Sequence, residues 1–187
     1  MENIKAKIQL HKKWLDRTGG QQLDIQNEEF SHIAFEDEDL NTSVFDHIKF
    51  TSSTFNNVNL GGSSFFNCIF SSVHFENSFL RKCEFHQCKF INCTFSEDEI
   101  TKAEFYDVSI EFCTFSTIQL GWSYFGDCLI SDTTFDTTEL DRLTFIDSKF
   151  NAVTFKNVKF NVDYPLKINH HENITDIDQL NVSIKNL

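Results

Sequence analysis

No apolar run in these 187 residues is long enough to span a membrane, and the first 24 carry no stretch that reads as a secretory leader. Cations are scarce: 16 Lys and Arg stand against 28 Asp and Glu, a net charge of −12. So acidic a chain lacks the footprint that holds phosphate backbones, which argues against direct nucleic-acid binding. No Gly-x-Ser-x-Gly elbow, glycine-rich phosphate loop or His-Glu-x-x-His motif occurs. No catalytic residue, cofactor or metal site is indicated, and the chain reads as a non-enzyme. The six cysteines show neither Cys-x-x-Cys nor Cys/His zinc spacing. They read as small fillers rather than disulfides, which fits a reducing cytoplasm. The adjacent pair His170 and His171 reads as solvated surface.

What is present is a period of five. From Ile25 to Phe160, every residue numbered by a multiple of five is Phe, Leu or Ile: 28 positions, nineteen of them Phe. That period fits neither a helix at 3.6 residues per turn nor a flat strand at 2.0. A chain that aims one residue in five at a core must turn after every five and coil about an axis. Two residues earlier the side chain is usually small or modestly apolar (Ser43, Ile48, Ser53, Val58, Ser63, Cys68), and all six cysteines fall in this class. Two residues later come Asn57, Gly62, Asn67, Asp107 and Asp127. These types best tolerate the positive φ of a tight corner.

Stretches such as Cys83 to Phe95 (CEFHQCKFINCTF) and Ser63 to Phe70 (SSFFNCIF) resemble the pentapeptide-repeat family over residues 25–160. The resemblance implies an all-β fold, a right-handed quadrilateral β-helix with four pentapeptides per coil. The Cys-x-Phe style is similar to the quinolone-resistance branch, whose members look like B-form DNA and occupy the DNA saddle of type II topoisomerases. Four sides also follow from the residues themselves. Positions 40, 60, 80, 100, 120 and 140 are Leu or Ile, and 35 to 155 in steps of twenty are all Phe. Seven coils at ~4.8 Å give a rod about 34 Å long.

Residues 1–24 read as a capping helix and turn, with Ile4, Ile8, Trp14 and Leu15 at helical spacing and Trp14 as the plug. Residues 161–187 form a second cap or tail in which Pro165 takes a central position and ends the ladder. The pattern leaves helix, strand or dimer contact open there, and so leaves open a monomer or a dimer through an end cap. On the Leu face two carboxylates, Glu38 and Asp98, break the inward rule and suggest bulges or a backbone-bonded Asp.

Sorting outward residues by column singles out the face centred on Phe45 to Phe125. It carries Phe66, Tyr106 and Tyr124, with Trp122 at the corner that enters it. Asp107, Asp127 and Asp147 stack along its other edge, and Lys82, Lys102 and Arg142 along the neighbouring one. Aromatics beside ordered charge are common anchors of protein interfaces, so this surface is the candidate binding site. The expected partner is a protein. A topoisomerase engaged by DNA mimicry and a toxin bound by an immunity protein are the alternatives.

Overall fold

The computed structural model describes residues 2–169 and 172–185, so His170 and His171 lie outside the described residues. Between the end caps the chain winds as a four-sided tube, twenty residues to the coil. Three sides are sheets of nine, seven and seven strands, parallel except at the last strand of the first. Each strand within residues 24–156 is three residues long with its central residue pointing inward. Register is set by like residues stacking on like: Phe85 pairs with Phe105, their rings 4.8 Å apart and 14° from parallel. Phe35 to Phe155 form a second unbroken ring column, with centroids 4.5 to 4.9 Å apart. Twelve Phe side chains are fully buried. At ~1.5–3 kcal/mol for each buried ring, they hold a narrow tube without a wide globular core.

The fourth side differs from the other three. Its outward residues Asp39, Asn59, Phe79, Glu99, Gln119, Glu139 and Lys159 pair only as single bridges. The corner that follows tightens into a hydrogen-bonded turn, as where Ser63 N donates to Leu60 O at 2.9 Å. That turn takes two residues from what is a strand on the other sides. The corner rule itself holds throughout: every fifth residue from Asn27 to Asn157 is left-handed, with φ between 47° and 68°.

The position two before each core residue does more than fill space. Ser63 Oγ accepts from Ser43 N at 3.0 Å and donates to Leu40 O at 2.9 Å. Cys83 Sγ donates to Leu60 O at 3.1 Å, and Cys93 Sγ to Phe70 O at 3.3 Å. Where the small side chain carries a donor, it adds a hydrogen bond to a buried backbone carbonyl of the preceding coil. Cysteine is thus a filler and also a donor. All six thiols are free and buried. Burial pushes Cys83 and Cys128 up to about 12, which leaves them unreactive in the folded chain.

Neither anomalous carboxylate makes a bulge. Glu38 turns toward the cap and pairs with Lys12 at 2.7 Å. Asp98 stays inside, and its Oδ1 accepts from Ser78 N at 2.7 Å, the role a hydroxyl or thiol plays elsewhere in the row. Its Oδ2 is buried with no partner among the described residues.

The N-terminal helix, α1 (Glu2–Leu15), lies over the first coil with Ile4 and Ile8 buried. Trp14 is not the plug: it is 39% exposed, and the fully buried residue is His11, whose ring Trp14 stacks on at 5.6 Å. The imidazole wins the site because the open coil needs polar partners there. His11 Nδ1 accepts from Leu23 N at 3.0 Å, so its Nε2 carries the hydrogen and donates to Asn41 O at 3.1 Å. Burial lowers the pKa of His11. The unfolded chain then takes up the proton at a higher pH than the folded one. This contribution is complete above the ordinary value of about 6.5 and is lost as pH falls below it. His11→Leu should lower the urea midpoint at pH 7, and its difference from the parent should shrink on going from pH 7 to pH 5. An unchanged difference would show that His11 does not titrate with folding.

Pro165 does not end the ladder. Residues 161–165 lengthen the turn, and Leu166–Ile168 then pairs with the Thr144–Ile146 strand in a register shifted from twenty, with Phe145 opposite Ile168. Glu172–Ile174 folds back antiparallel on it. A second helix, α2 (Ile177–Lys185), follows with Leu180 and Ile184 buried.

Candidate functional site

The strands Ser64–Phe66, Glu84–His86, Glu104–Tyr106 and Tyr124–Gly126 stack on one face and carry most of the candidate residues. Phe66, His86 and Tyr106 point outward in one column, with ring centroids 5.1 Å apart at each step and planes 16° from parallel. The next rung is Gly126, where an added Cβ would lie 2.7 Å from Tyr124 Cε1. Tyr124 therefore crosses its own strand and covers the glycine. Its ring sits 5.3 Å from that of Tyr106, in the rung a side chain at 126 would fill. Gly126 pairs in turn with Ile146, which is buried although it points outward. The outcome is a continuous apolar stripe over five coils, ~19 Å long at ~4.8 Å per rung. Tyr106 OH donates to Glu104 Oε2 at 2.7 Å, and that carboxylate raises the phenol pKa to about 12. The ring thus stays neutral and fixed.

Trp122 is not part of this stripe. It occupies the left-handed corner on the opposite edge, with φ 65° and 50% exposure. The Arg142 guanidinium stands 4.1 Å from its ring centroid and 4.4 Å from that of Tyr164, while Lys102 Nζ lies 5.8 Å away from the Trp122 centroid. A cleft of about 550 Å³ opens between Trp122, Tyr124 and the strand Leu166–Ile168. Asp107, Asp127 and Asp147 line the far edge, each at a left-handed corner, φ 50° to 55°. Corner geometry accounts for an Asp at those positions, since its short polar side chain tolerates that conformation.

The structure thus gathers Phe66, Tyr106 and Tyr124 into one stripe, with Trp122 on one flank and the three Asp on the other. Sequence reasoning missed His86 and Tyr164. His86 sits in the same column as Phe66 and Tyr106, and a sort that counts imidazole among the rings finds it. Tyr164 follows the last regular pentapeptide, where residue number no longer predicts column. The negative charge is not continuous. Lys49, Lys89 and Lys149 share one column of the second face with the exposed Ile69 and Leu129.

A family model described as pentapeptide repeats, eight copies, matches residues 68–97. Comparison with curated proteins finds no match. Among solved structures the chain is similar to a trypsin-treated variant of QnrB1, a plasmid-mediated fluoroquinolone resistance protein. The identity is 17%, covering 76% of this chain and 79% of that one, with a TM-score of 0.30. It is also similar to HetL, a pentapeptide repeat protein involved in heterocyst differentiation regulation from the cyanobacterium Nostoc sp. strain PCC 7120. There the identity is 6%, the coverage 80% and 92%, and the TM-score 0.29. Rfr23 from the cyanobacterium Cyanothece 51142 gives 11% identity, 80% and 95% coverage and a TM-score of 0.27.

Proposed function

We propose that this chain, a pentapeptide-repeat protein, is a non-enzymatic binding module that engages a protein partner through the face bearing Phe66, His86, Tyr106 and Tyr124. The observation that carries this reading is Tyr124 folded over Gly126, which completes an outward aromatic stripe flanked by charges of both signs. Rigid aromatic area with a polar rim is the anatomy of an interface core. A photo-crosslinking phenylalanine analogue in place of His86 should trap a partner that the same analogue in place of Thr114, on another face, does not. Trp122→Ala combined with Tyr124→Ala should abolish that adduct while the thiols stay protected. Equal trapping at Thr114, or undiminished trapping by the double variant, would move the interface elsewhere.

A second reading, mimicry of DNA toward a topoisomerase, is favoured by the acidity of the rod, 21 Asp and Glu against 9 Lys and Arg over residues 25–160. The lysine column on the second face and the Lys82–Lys102–Arg142 edge interrupt the stripe that such mimicry needs. Gyrase supercoiling and its quinolone protection, assayed at micromolar protein, decide this reading. No inhibition and no protection would remove it. The partner class, the absence of catalysis and a cytoplasmic setting belong to the same proposal; among the described residues no helix is long and apolar enough to cross a membrane.

A further inference from the structure

The corner that holds Trp122 carries a line of cations on a rod of net negative charge. Lys82, Lys102 and Arg142 share its column with Trp122, and the backbone N of Arg142 donates to Tyr164 O at 2.9 Å, which sets Tyr164 as the last rung. Arg81 stands beside Lys82, and Lys167 lines the cleft next to Arg142. Among the described residues none of these five cations forms an ion pair. Two openings lie along this corner. One is the cleft of about 550 Å³ at Arg142. The other is a groove of about 650 Å³ where Gly61 and Gly62 lack side chains below Arg81 and Lys82, with the exposed Phe79 as its wall.

We propose that this edge is an anion-recognition track for an acidic segment of a protein partner, with Arg142 as its anchor. The inference rests on the binding face described above and supplies the chemistry of one of its flanks. The Arg142 guanidinium packs against both the Trp122 and Tyr164 rings, 4.1 and 4.4 Å from their centroids, which are themselves 6.1 Å apart. A guanidinium held by aromatics keeps its in-plane N–H edge for a carboxylate, which it meets with two parallel hydrogen bonds. Its immobilisation also lowers the ordering cost of binding. Trp122 itself occupies a left-handed corner, a strained choice for a bulky side chain and one that Gly62 fills without strain in the same column. The contact with Arg142 is one that the turn by itself does not require.

Charge complementarity selects the occupant. Glu84 and Glu104 lie in the column beside the track, and Asp163 lines the cleft opposite Arg142. A polyphosphate would meet these three carboxylates along its length, whereas a peptide can place single carboxylates at the cations. Lys82 and Arg142 are three rungs apart, ~14 Å, which an extended chain spans in about four residues. The track therefore fits acidic side chains about four positions apart.

The test is a titration of a decapeptide carrying Glu at every fourth position, read by Trp122 emission in a Trp14→Phe background. Binding should be saturable and should weaken as salt rises. Arg142→Ala should weaken it at least tenfold, and Arg142→Lys several-fold, because the charge remains while the planar fork is lost. Unchanged affinity in Arg142→Ala would overturn the assignment. So would equal binding of the Gln-substituted decapeptide, or tighter binding of a thymidine decanucleotide. Protected thiols in each variant show that folding is intact. If the peptide fails to bind while crosslinks at position 86 persist, the anion track falls and the binding face stands.

Discussion

Replacing Phe95 by alanine is expected to destabilise the rod by about 3–5 kcal/mol, the largest single loss among the core substitutions. Its ring lies 4.7 Å from Phe75 and 4.5 Å from Phe115, within 2° of parallel to both, and meets Phe90 edge-on at 5.7 Å. Removal leaves a cavity in the middle of a column, and the coils above and below each lose a stacking partner. In a solenoid each coil contacts only its neighbours, so no distant part of the structure can relax to fill that void. Urea unfolding followed by release of the six buried thiols measures the loss. Phe160→Ala, in the partly buried last coil, should cost less than half as much by the same assay. Equal costs at the two positions would mean that the ring columns do not carry the stability.

Asp98→Ser is expected to do the opposite and stabilise the protein at neutral and alkaline pH. Burial raises the carboxyl pKa from 3.8 to about 7, opposed by hydrogen bonds from the Ser78 and Ser96 backbone and reinforced by the charges of Glu76 and Glu97. Between those two values the folded chain holds a proton that the unfolded chain has released. The contribution of Asp98 to stability therefore falls as pH rises from 3.8 to 7 and stays lost above it. At about 1.4 kcal/mol for each pH unit, the cost is roughly 4 kcal/mol at pH 8. A serine would accept from Ser78 N as other hydroxyls of the row do, without the orphan Oδ2. The urea midpoint of Asp98→Ser should exceed that of the parent at pH 8, and the gap should narrow toward pH 4. A gap independent of pH would show that Asp98 is charged in both states or in neither.

The residues that were legible and those that were not differ in one respect. A core residue such as Phe85 meets Phe65 and Phe105, twenty positions away on either side, so residue number alone names its neighbours. The same arithmetic found Phe66 and Tyr106 on one face. It could not find that Tyr124 leaves its own column to cover Gly126, because a glycine vacancy and a ring one coil below must be seen together. Nor could it favour His11 over Trp14 as the plug. Hydrophobicity points to the indole, but the open coil presents Leu23 N and Asn41 O, which only a side chain with both a donor and an acceptor satisfies.

By itself the amino-acid order determined the tube: its period, its four sides, its stacked rings and its left-handed corners. Each of these is a contact between positions a fixed count apart, repeated until no other arrangement buries the rings. Only the tertiary structure decided the ends and the outer surface. Past Phe160 the inserted turn breaks the count, so that Leu166 and Ile168 rather than Pro165 enter the core. On the surface a side chain answers to charges and vacancies of neighbouring coils, and that is how Arg142 comes to pack against both Trp122 and Tyr164.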